Sequence, residues 1–146
     1  MKLSARGRHS MEAMLDLAVQ FGQGPSLIRD VARRRHISEQ YLAQLFIPLR
    51  IAGLVRSVRG ANGGFVLARA PAEIRLSDVI RATEGSTAPA ECVDDPRVCW
   101  TGDNCITRSV WVEIKKATDR ILESLTLQDL VDRRQESERA KAGAVG

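Results

Sequence analysis

Aromatic residues are scarce in this chain, at 4% of its 146 residues. The core must therefore be built mainly from aliphatic side chains, within an apolar content of 44%. No apolar run approaches the roughly 20 residues that a membrane-spanning helix needs, so we expect no membrane partner. Glu12 and Asp16 interrupt the apolar stretch near the N-terminus, which argues against a signal peptide. These absences together predict a cytoplasmic protein.

Cysteine and histidine are also few, with three Cys and two His in the whole chain. Three is a small and odd number of cysteines, which argues against a disulfide framework and favours metal or redox chemistry instead. Neither His9 nor His36 stands beside a Cys in the sequence. No nucleophile motif or phosphate-binding loop accompanies them. We therefore expect that the protein is not an enzyme.

Positive charge is concentrated in the N-terminal part of the chain. Residues 1–90 hold 13 Lys and Arg against 7 Asp and Glu, whereas residues 91–146 hold 9 against 11. The first part thus carries a net charge of +6 and the second a net charge of −2. A basic module of this kind attracts the phosphate backbone of nucleic acid.

The first half of the chain has the pattern of three helices followed by a hairpin. Ser4, Ser26 and Ser38 are predicted N-caps of the three helices, and Pro48 predicts a kink or break inside the third. After Gly53 the pattern becomes extended, with strands predicted over 54–58 and 65–68 on either side of a Gly-rich tip. A short fourth helix is predicted next, capped by Ser77 and closed by Gly85. We therefore expect a mainly α protein with a winged helix-turn-helix DNA-binding domain over 1–85.

Polar residues on the third helix and the hairpin tip are the candidates for contact with double-stranded DNA. An α-helix fills the major groove, and a hairpin tip can reach the backbone or the minor groove. The same side chains could instead cap, pack or only face solvent. The Arg33-Arg34-Arg35 run could contact phosphates or form a solvated face. The candidate DNA-binding residues are Ser38, Gln40, Tyr41, Gln44, Arg50, Arg59 and Asn62.

All three cysteines lie in one segment without regular periodicity, 86–106. Six residues separate Cys92 from Cys99, and five separate Cys99 from Cys105. Three thiols within such a loop can surround one metal centre, and thiolates suit iron–sulfur clusters as well as zinc. The spacing does not match the common Cys-x-x-Cys zinc motifs. Unligated thiols and a disulfide switch remain the alternatives.

The C-terminal part begins with a long predicted helix from about Thr107. Its apolar residues follow a spacing close to the seam of a coiled coil, which suits packing on a second copy of the chain. Thr126 is predicted to cap a last helix. We therefore expect dimerisation helices over 107–132 and a flexible tail over 133–146. The seam residues are Val110, Ile114, Ala117, Ile121 and Leu125.

A series of short motifs runs along the first 64 residues. They are Met1-Lys2-Leu3-Ser4, Gly7-Arg8, Ala13-Met14-Leu15-Asp16, Ile37-Ser38, Tyr41-Leu42, Gln44-Leu45, Gly53-Leu54-Val55, Ser57-Val58-Arg59-Gly60 and Gly63-Gly64. Together with the cysteine spacing they resemble the Rrf2 family of bacterial transcription regulators. The resemblance covers roughly residues 1–132 and implies a homodimer, a palindromic or semi-palindromic operator and an iron–sulfur cluster on Cys92, Cys99 and Cys105.

The chain departs from this family at three positions. Arg108 stands where some members place a histidine ligand three residues after the last Cys, and Arg8 stands where others use an aspartate from the partner subunit. Ala43 stands where some carry a glutamate that discriminates operators. The fourth cluster ligand therefore stays open. The candidates are Asp103, His9 or Glu12 across the dimer, and water or a small molecule. The missing histidine favours a 4Fe–4S over a 2Fe–2S cluster.

The sequence thus predicts an iron–sulfur, DNA-binding transcription regulator. We expect a repressor that senses iron, redox or nitric oxide status. One alternative is a cluster-free regulator of the same fold. The other is a zinc-binding interaction protein whose basic face binds nucleic acid or a membrane.

Overall fold

The computed structural model describes residues 1–145, which form a mainly helical chain with one antiparallel hairpin. This architecture confirms the predicted winged-helix class. Short 3₁₀ turns at Pro71–Glu73, Pro96–Val98 and Gly102–Asn104 connect some of the elements. The helices and strands are α1 (Ala5–Val19), α2 (Ile28–Arg35), α3 (Glu39–Ile51), β1 (Val55–Val58), β2 (Gly64–Leu67), α4 (Leu76–Thr83), α5 (Glu91–Asp94), α6 (Ile106–Ser124) and α7 (Leu127–Val145).

Two of the three predicted N-caps in the first half are confirmed. The Ser4 hydroxyl accepts a bond from the Gly7 amide at 3.0 Å, and the Ser38 hydroxyl accepts one from the Tyr41 amide at 3.1 Å. The prediction for Ser26 is wrong, because α2 begins after Leu27 without a side-chain cap. Ser26 instead exchanges backbone hydrogen bonds with Phe65 of β2, at 2.9 and 2.8 Å.

This exchange makes Ser26 a third, one-residue strand beside the hairpin. In the hairpin itself Val55 pairs with Leu67, and Val58 pairs with Gly64. A side chain at Gly64 would overlap the Ser26 carbonyl, and the φ of +148° at this position also favours glycine. The close approach fixes the wing against the turn between α1 and α2.

Of the kink or break expected near Phe46–Ile47, the break is absent, because α3 runs without interruption from Glu39 to Ile51. Proline removes only one backbone donor from the helix. The buried side chains of Leu45, Phe46 and Leu49 pack in the core on both sides of it. Core packing on this face therefore holds the helical turn that proline alone would weaken.

The fourth helix begins at Leu76, so the predicted cap at Ser77 is also wrong. The Asp78 carboxylate accepts a hydrogen bond from the Arg75 amide at 3.0 Å and closes the first turn. Ser77 is instead buried inside that turn, at 9% exposed. Gly85 follows the end of the helix with a φ of +77°, as its predicted role requires.

The last helix returns to the DNA-binding half of the chain. Thr126 and Asp129 form the predicted capping box, with bonds of 2.8 Å from the Thr126 amide and 3.2 Å from the Asp129 amide. Leu127 is fully buried and Val131 is 8% exposed, within the same core as α1, α3 and α4. The core therefore extends beyond the predicted 1–85 unit.

The segment predicted as a flexible tail is helical over its described residues. Residues 133–145 continue α7, and Gly146 lies outside the described residues. Among residues 1–145, no helix is both long and apolar enough to cross a lipid bilayer.

Candidate DNA-binding surface and cysteine loop

Helix α2 is held on α1 by an ion pair whose carboxylate is buried. Asp16 of α1 is 3% exposed, and Arg34 of α2 donates to its carboxylate at 3.0 and 2.7 Å. The Nε of Arg35 lies 3.4 Å from the same carboxylate. The hydrogen bonds with Asp16 raise the pKa of Arg34 above its ordinary value. This anchor fixes the angle at which α2 leaves α1.

The three consecutive arginines are therefore not only a solvated face. Arg34 and Arg35 are turned toward Asp16, while Arg33 pairs with Asp30 at 2.9 Å on the surface. Sequence reasoning missed this role because Asp16 is 18 positions from Arg34. The one sequence feature that pointed to it is an aspartate in the middle of an otherwise apolar stripe of α1.

The outer face of α3 presents polar side chains to solvent. Gln40, Gln44 and Arg50 are exposed, as their predicted DNA-binding role requires. The Ser38 hydroxyl is committed to capping, although Ser38 is exposed. Tyr41 is half-buried and packs edge-to-face on His9, with ring centroids 5.5 Å apart. The opposite face of α3 is buried through Leu42, Leu45, Phe46 and Leu49.

The wing presents two further predicted residues at its tip. Arg59 and Asn62 are both exposed, in the turn that connects β1 to β2. Gly63 allows that turn to fold back, because a side chain there would overlap the Val58 carbonyl. The basic wing tip and the outer face of α3 together give this chain the two elements with which winged helices contact duplex DNA.

The segment between α4 and α6, called the cysteine loop below and spanning 86–105, is fastened to α6. Near its start, the Thr87 hydroxyl donates to Asp119, which also pairs with Lys115 at 2.7 Å. Further on, Arg108 donates to the Cys92 carbonyl at 2.6 Å and to the Val93 carbonyl at 3.2 Å. Its guanidinium also lies 3.7 Å from the Asp103 carboxylate.

Arg108 therefore joins two parts of the cysteine loop to the first turns of α6. Its side chain is 19% exposed, so its bonds are partly shielded from water. Sequence reasoning noted this residue only as a departure from a histidine ligand. A basic residue beside an acidic loop was the available indication of its role.

The three cysteines are free thiols in an accessible loop. Cys99 is exposed, and Cys92 and Cys105 are half-buried. Hydrogen bonds from Thr107, at 3.1 Å, and from the Arg108 amide lower the pKa of Cys105 to about 7. Thr101, at 3.2 Å, lowers the pKa of Cys99. Two of the three thiols are thus predisposed to the thiolate form that binds metals.

The three cysteine thiols are of the right chemical type to hold an iron–sulfur cluster, but their positions do not form a cluster site. Thiolates are the ordinary ligands of such clusters. Within residues 1–145, however, no three His, Cys, Asp or Glu side chains are arranged as a metal site. Of the candidate fourth ligands, only Asp103 lies on the cysteine loop. His9 and Glu12 lie on α1, where His9 packs on Tyr41 and Glu12 is exposed.

The helix pair, the exposed face of α3 and the Gly-rich wing define a DNA-binding protein of the winged helix-turn-helix class. Residues 3–133 match the Rrf2 family, which is described as "Iron-dependent Transcriptional regulator". The chain belongs to the Rrf2 family. It is therefore a DNA-binding transcriptional regulator, and its named relatives are regulators rather than enzymes.

Two kinds of relative stand out in sequence. The regulator CymR of Bacillus subtilis is 41% identical over 130 residues, which are 89% of this chain and 89% of CymR. IscR of Serratia proteamaculans is 38% identical over 132 residues, which are 90% of this chain and 80% of IscR. The chain is thus similar to both, with comparable coverage.

Solved structures show the same two similarities. The structure of CymR, the global cysteine regulator of B. subtilis, matches with a TM-score of 0.78 and 39% identity, over 91% of this chain and 98% of that one. The structure of T. potens IscR matches with a TM-score of 0.79 and 41% identity, over 94% and 90%. Similarity to these two alone does not favour one regulator type over the other.

Proposed function

We propose that the chain is a homodimeric, cytoplasmic repressor that binds an iron–sulfur cluster and couples that binding to operator recognition. Cys92, Cys99 and Cys105 would hold the cluster. The observation that supports this assignment is their common position on one accessible loop that is fastened at two places to α6. Such a cluster supplies a centre that responds to iron supply, oxidants or nitric oxide.

The ligand set argues for a 4Fe–4S over a 2Fe–2S cluster. Arg108 occupies the position of a histidine ligand and is committed to the carbonyls of Cys92 and Val93. Three thiolates then leave one coordination position for a weaker ligand. Asp103 is the candidate within the chain, and His9 or Glu12 could serve only across the dimer.

The proposed dimer interface is the apolar seam of α6. Although this helix has 19 residues, none of them is buried in the single chain. Val110 is 45% exposed and Ile121 is 59% exposed, on the side predicted from the heptad spacing. A second copy of α6 would cover both side chains, as in a coiled coil.

Coupling follows from the connections of the cysteine loop. Arg108 joins that loop to α6, and a backbone hydrogen bond from the Leu76 amide to the Leu125 carbonyl, at 2.9 Å, joins the start of α4 to the end of α6. A loop fixed by ligation would therefore set the spacing of the two α3 helices. Half-sites lie about 34 Å apart on DNA, so a small shift in spacing lowers affinity. A loss of about 1.4 kcal/mol already weakens binding tenfold.

The main test compares holo and apo protein in operator binding. Protein purified without oxygen is expected to be brown, with iron and sulfide in proportion, and to bind its operator with a different affinity after cluster removal. The variant with all three Cys changed to Ala should be colourless and should bind like the apo protein. Val98→Ala is the matched control, since Val98 is an exposed loop residue without a thiol.

A cluster-free regulator of the same fold is the second candidate. This candidate is favoured because, within residues 1–145, the three thiols are not arranged together as a metal site. The similarity to CymR also favours it. Colourless protein whose operator affinity is unchanged by the Cys→Ala variant would select this candidate. Stoichiometric zinc without iron would select a zinc protein instead.

The dimer is tested separately by light scattering on the purified protein. Val110→Asp and Ile121→Asp place charges on the proposed seam and should yield monomers. Lys116→Asp adds an acidic residue away from the seam and should leave the dimer intact. A monomeric parent chain, or seam variants that remain dimeric, would refute this interface.

A further inference from the structure

An isoleucine stands in the middle of the solvent-exposed face of α3. Ile47 is 51% exposed, whereas the apolar residues of the opposite face are buried. Exposing a large aliphatic side chain has no benefit to folding, since burial of apolar surface is what stabilises the fold. Its side chain lies beside exposed polar residues of the same face and is free to contact a ligand outside the chain.

The position of Ile47 relative to the two glutamines is fixed by helix geometry. Each residue turns an α-helix by about 100° and advances it by about 1.5 Å. Ile47 thus lies about 20° around the helix from Gln40 and about 60° from Gln44. It is displaced along the axis by about 10 Å from Gln40 and about 4.5 Å from Gln44. The three side chains form one stripe that spans roughly three base pairs.

We propose that Ile47 reads the C5-methyl group of a thymine in the major groove of the operator. That methyl is the apolar group that base edges present in the major groove. Duplex DNA is the occupant indicated here, because Gln44 and Arg50 flank Ile47 on the same exposed face and the first 90 residues carry a net charge of +6. The inference rests on the proposed use of α3 as the reading helix.

The neighbouring side chains strengthen the assignment. Gln44 can pair with the N6 and N7 groups of adenine. The side chain of Ala43, one turn before Ile47, is too short to extend beyond the isoleucine. One turn further on, Ile51 is 81% exposed at the end of the helix. Ile51 is the last residue of α3, one turn farther than Ile47 from the N-terminal part with which a recognition helix contacts base edges, so we expect this matched isoleucine to leave the bases untouched.

The experiment starts by selecting preferred operators for the full-length protein from a random pool of duplexes. Each thymine of the selected half-site is then replaced by deoxyuridine, which removes only the methyl group. Affinities of the parent, Ile47→Ala and Ile51→Ala proteins are measured for both versions. Circular dichroism confirms that the variants are folded, as expected for exposed positions.

We expect one thymine in each half-site whose replacement weakens the parent protein by about fourfold, the value of one buried methyl-sized group. Ile47→Ala should bind the normal and the deoxyuridine operators equally, while Ile51→Ala should keep the fourfold difference. A parent protein that is insensitive to every replacement refutes the proposal. So does an Ile47→Ala variant that remains as sensitive as the parent.

The same binding assay separates this inference from the assignment of α3. If Gln44→Ala leaves the selected operator and its affinity unchanged, α3 is not the reading helix and both statements fail. If Gln44→Ala changes operator preference while Ile47→Ala does not affect the methyl dependence, only the thymine contact is refuted.

Discussion

Removing the charge of Asp16 should destabilise the protein more than removing any surface carboxylate. The two shortest charge-assisted hydrogen bonds from Arg34 to Asp16 measure 3.0 and 2.7 Å, and such bonds contribute about 1.5–3 kcal/mol each. Arg34 is 36% exposed, so water compensates for part of the loss. We therefore expect Asp16→Asn to lower the free energy of unfolding by about 2–3 kcal/mol.

The surface pair of Arg33 and Asp30 supplies the matched control. It has a similar distance, 2.9 Å, but Arg33 is 77% exposed, so Asp30→Asn should cost less than about 1 kcal/mol. Both variants are measured by urea unfolding of apo protein at one fixed concentration, because ligand and partner binding shift apparent stability. Equal losses for Asp16→Asn and Asp30→Asn would refute the claim that the ion pair of buried Asp16 with Arg34 anchors α2.

Three further predictions follow from other contacts. Gly64→Ala should destabilise the chain by about 1–3 kcal/mol, because the added side chain strains the wing against the turn between α1 and α2. The control Gly143→Ala lies in open helical surroundings and should not destabilise the chain. Urea unfolding measures both variants. In apo protein, the rate of Cys105 alkylation by iodoacetamide should rise with pH and reach half its maximum at about pH 7, because the thiolate forms above the lowered pKa. Thr107→Val removes the hydrogen bond that lowers this pKa and should move the midpoint to higher pH. Arg108→Ala should speed amide hydrogen exchange in α5, while exchange in α3 stays unchanged.

Local chemistry explains why much of the fold was predictable. Ser4, Ser38 and Thr126 cap helices because their hydroxyls reach amides only three residues away. The Gly-rich hairpin is similarly a short-range feature. Ser26 and Ser77 belong to the same residue classes and yet do not cap, because backbone pairing and burial determine their positions.

The candidate site was predictable to a lesser extent. The exposure of Gln40, Gln44 and Arg59 follows from helical periodicity and from the hairpin turn. The destination of Arg34 depends on a contact between separate helices, which no local pattern specifies. The sequence likewise predicted the cysteine loop, but not the role of Arg108 in fastening it to α6.

The return of α7 has a consequence for protein engineering. Because Leu127 is fully buried in the core, a chimera that joins residues 1–85 to a foreign coiled coil would expose the surface that Leu127 covers. Burial of one such leucine contributes about 1.5–3 kcal/mol, a large share of the stability of a small domain. The transplantable unit of this regulator is therefore discontinuous in sequence, and a functional graft must carry its C-terminal segment with it.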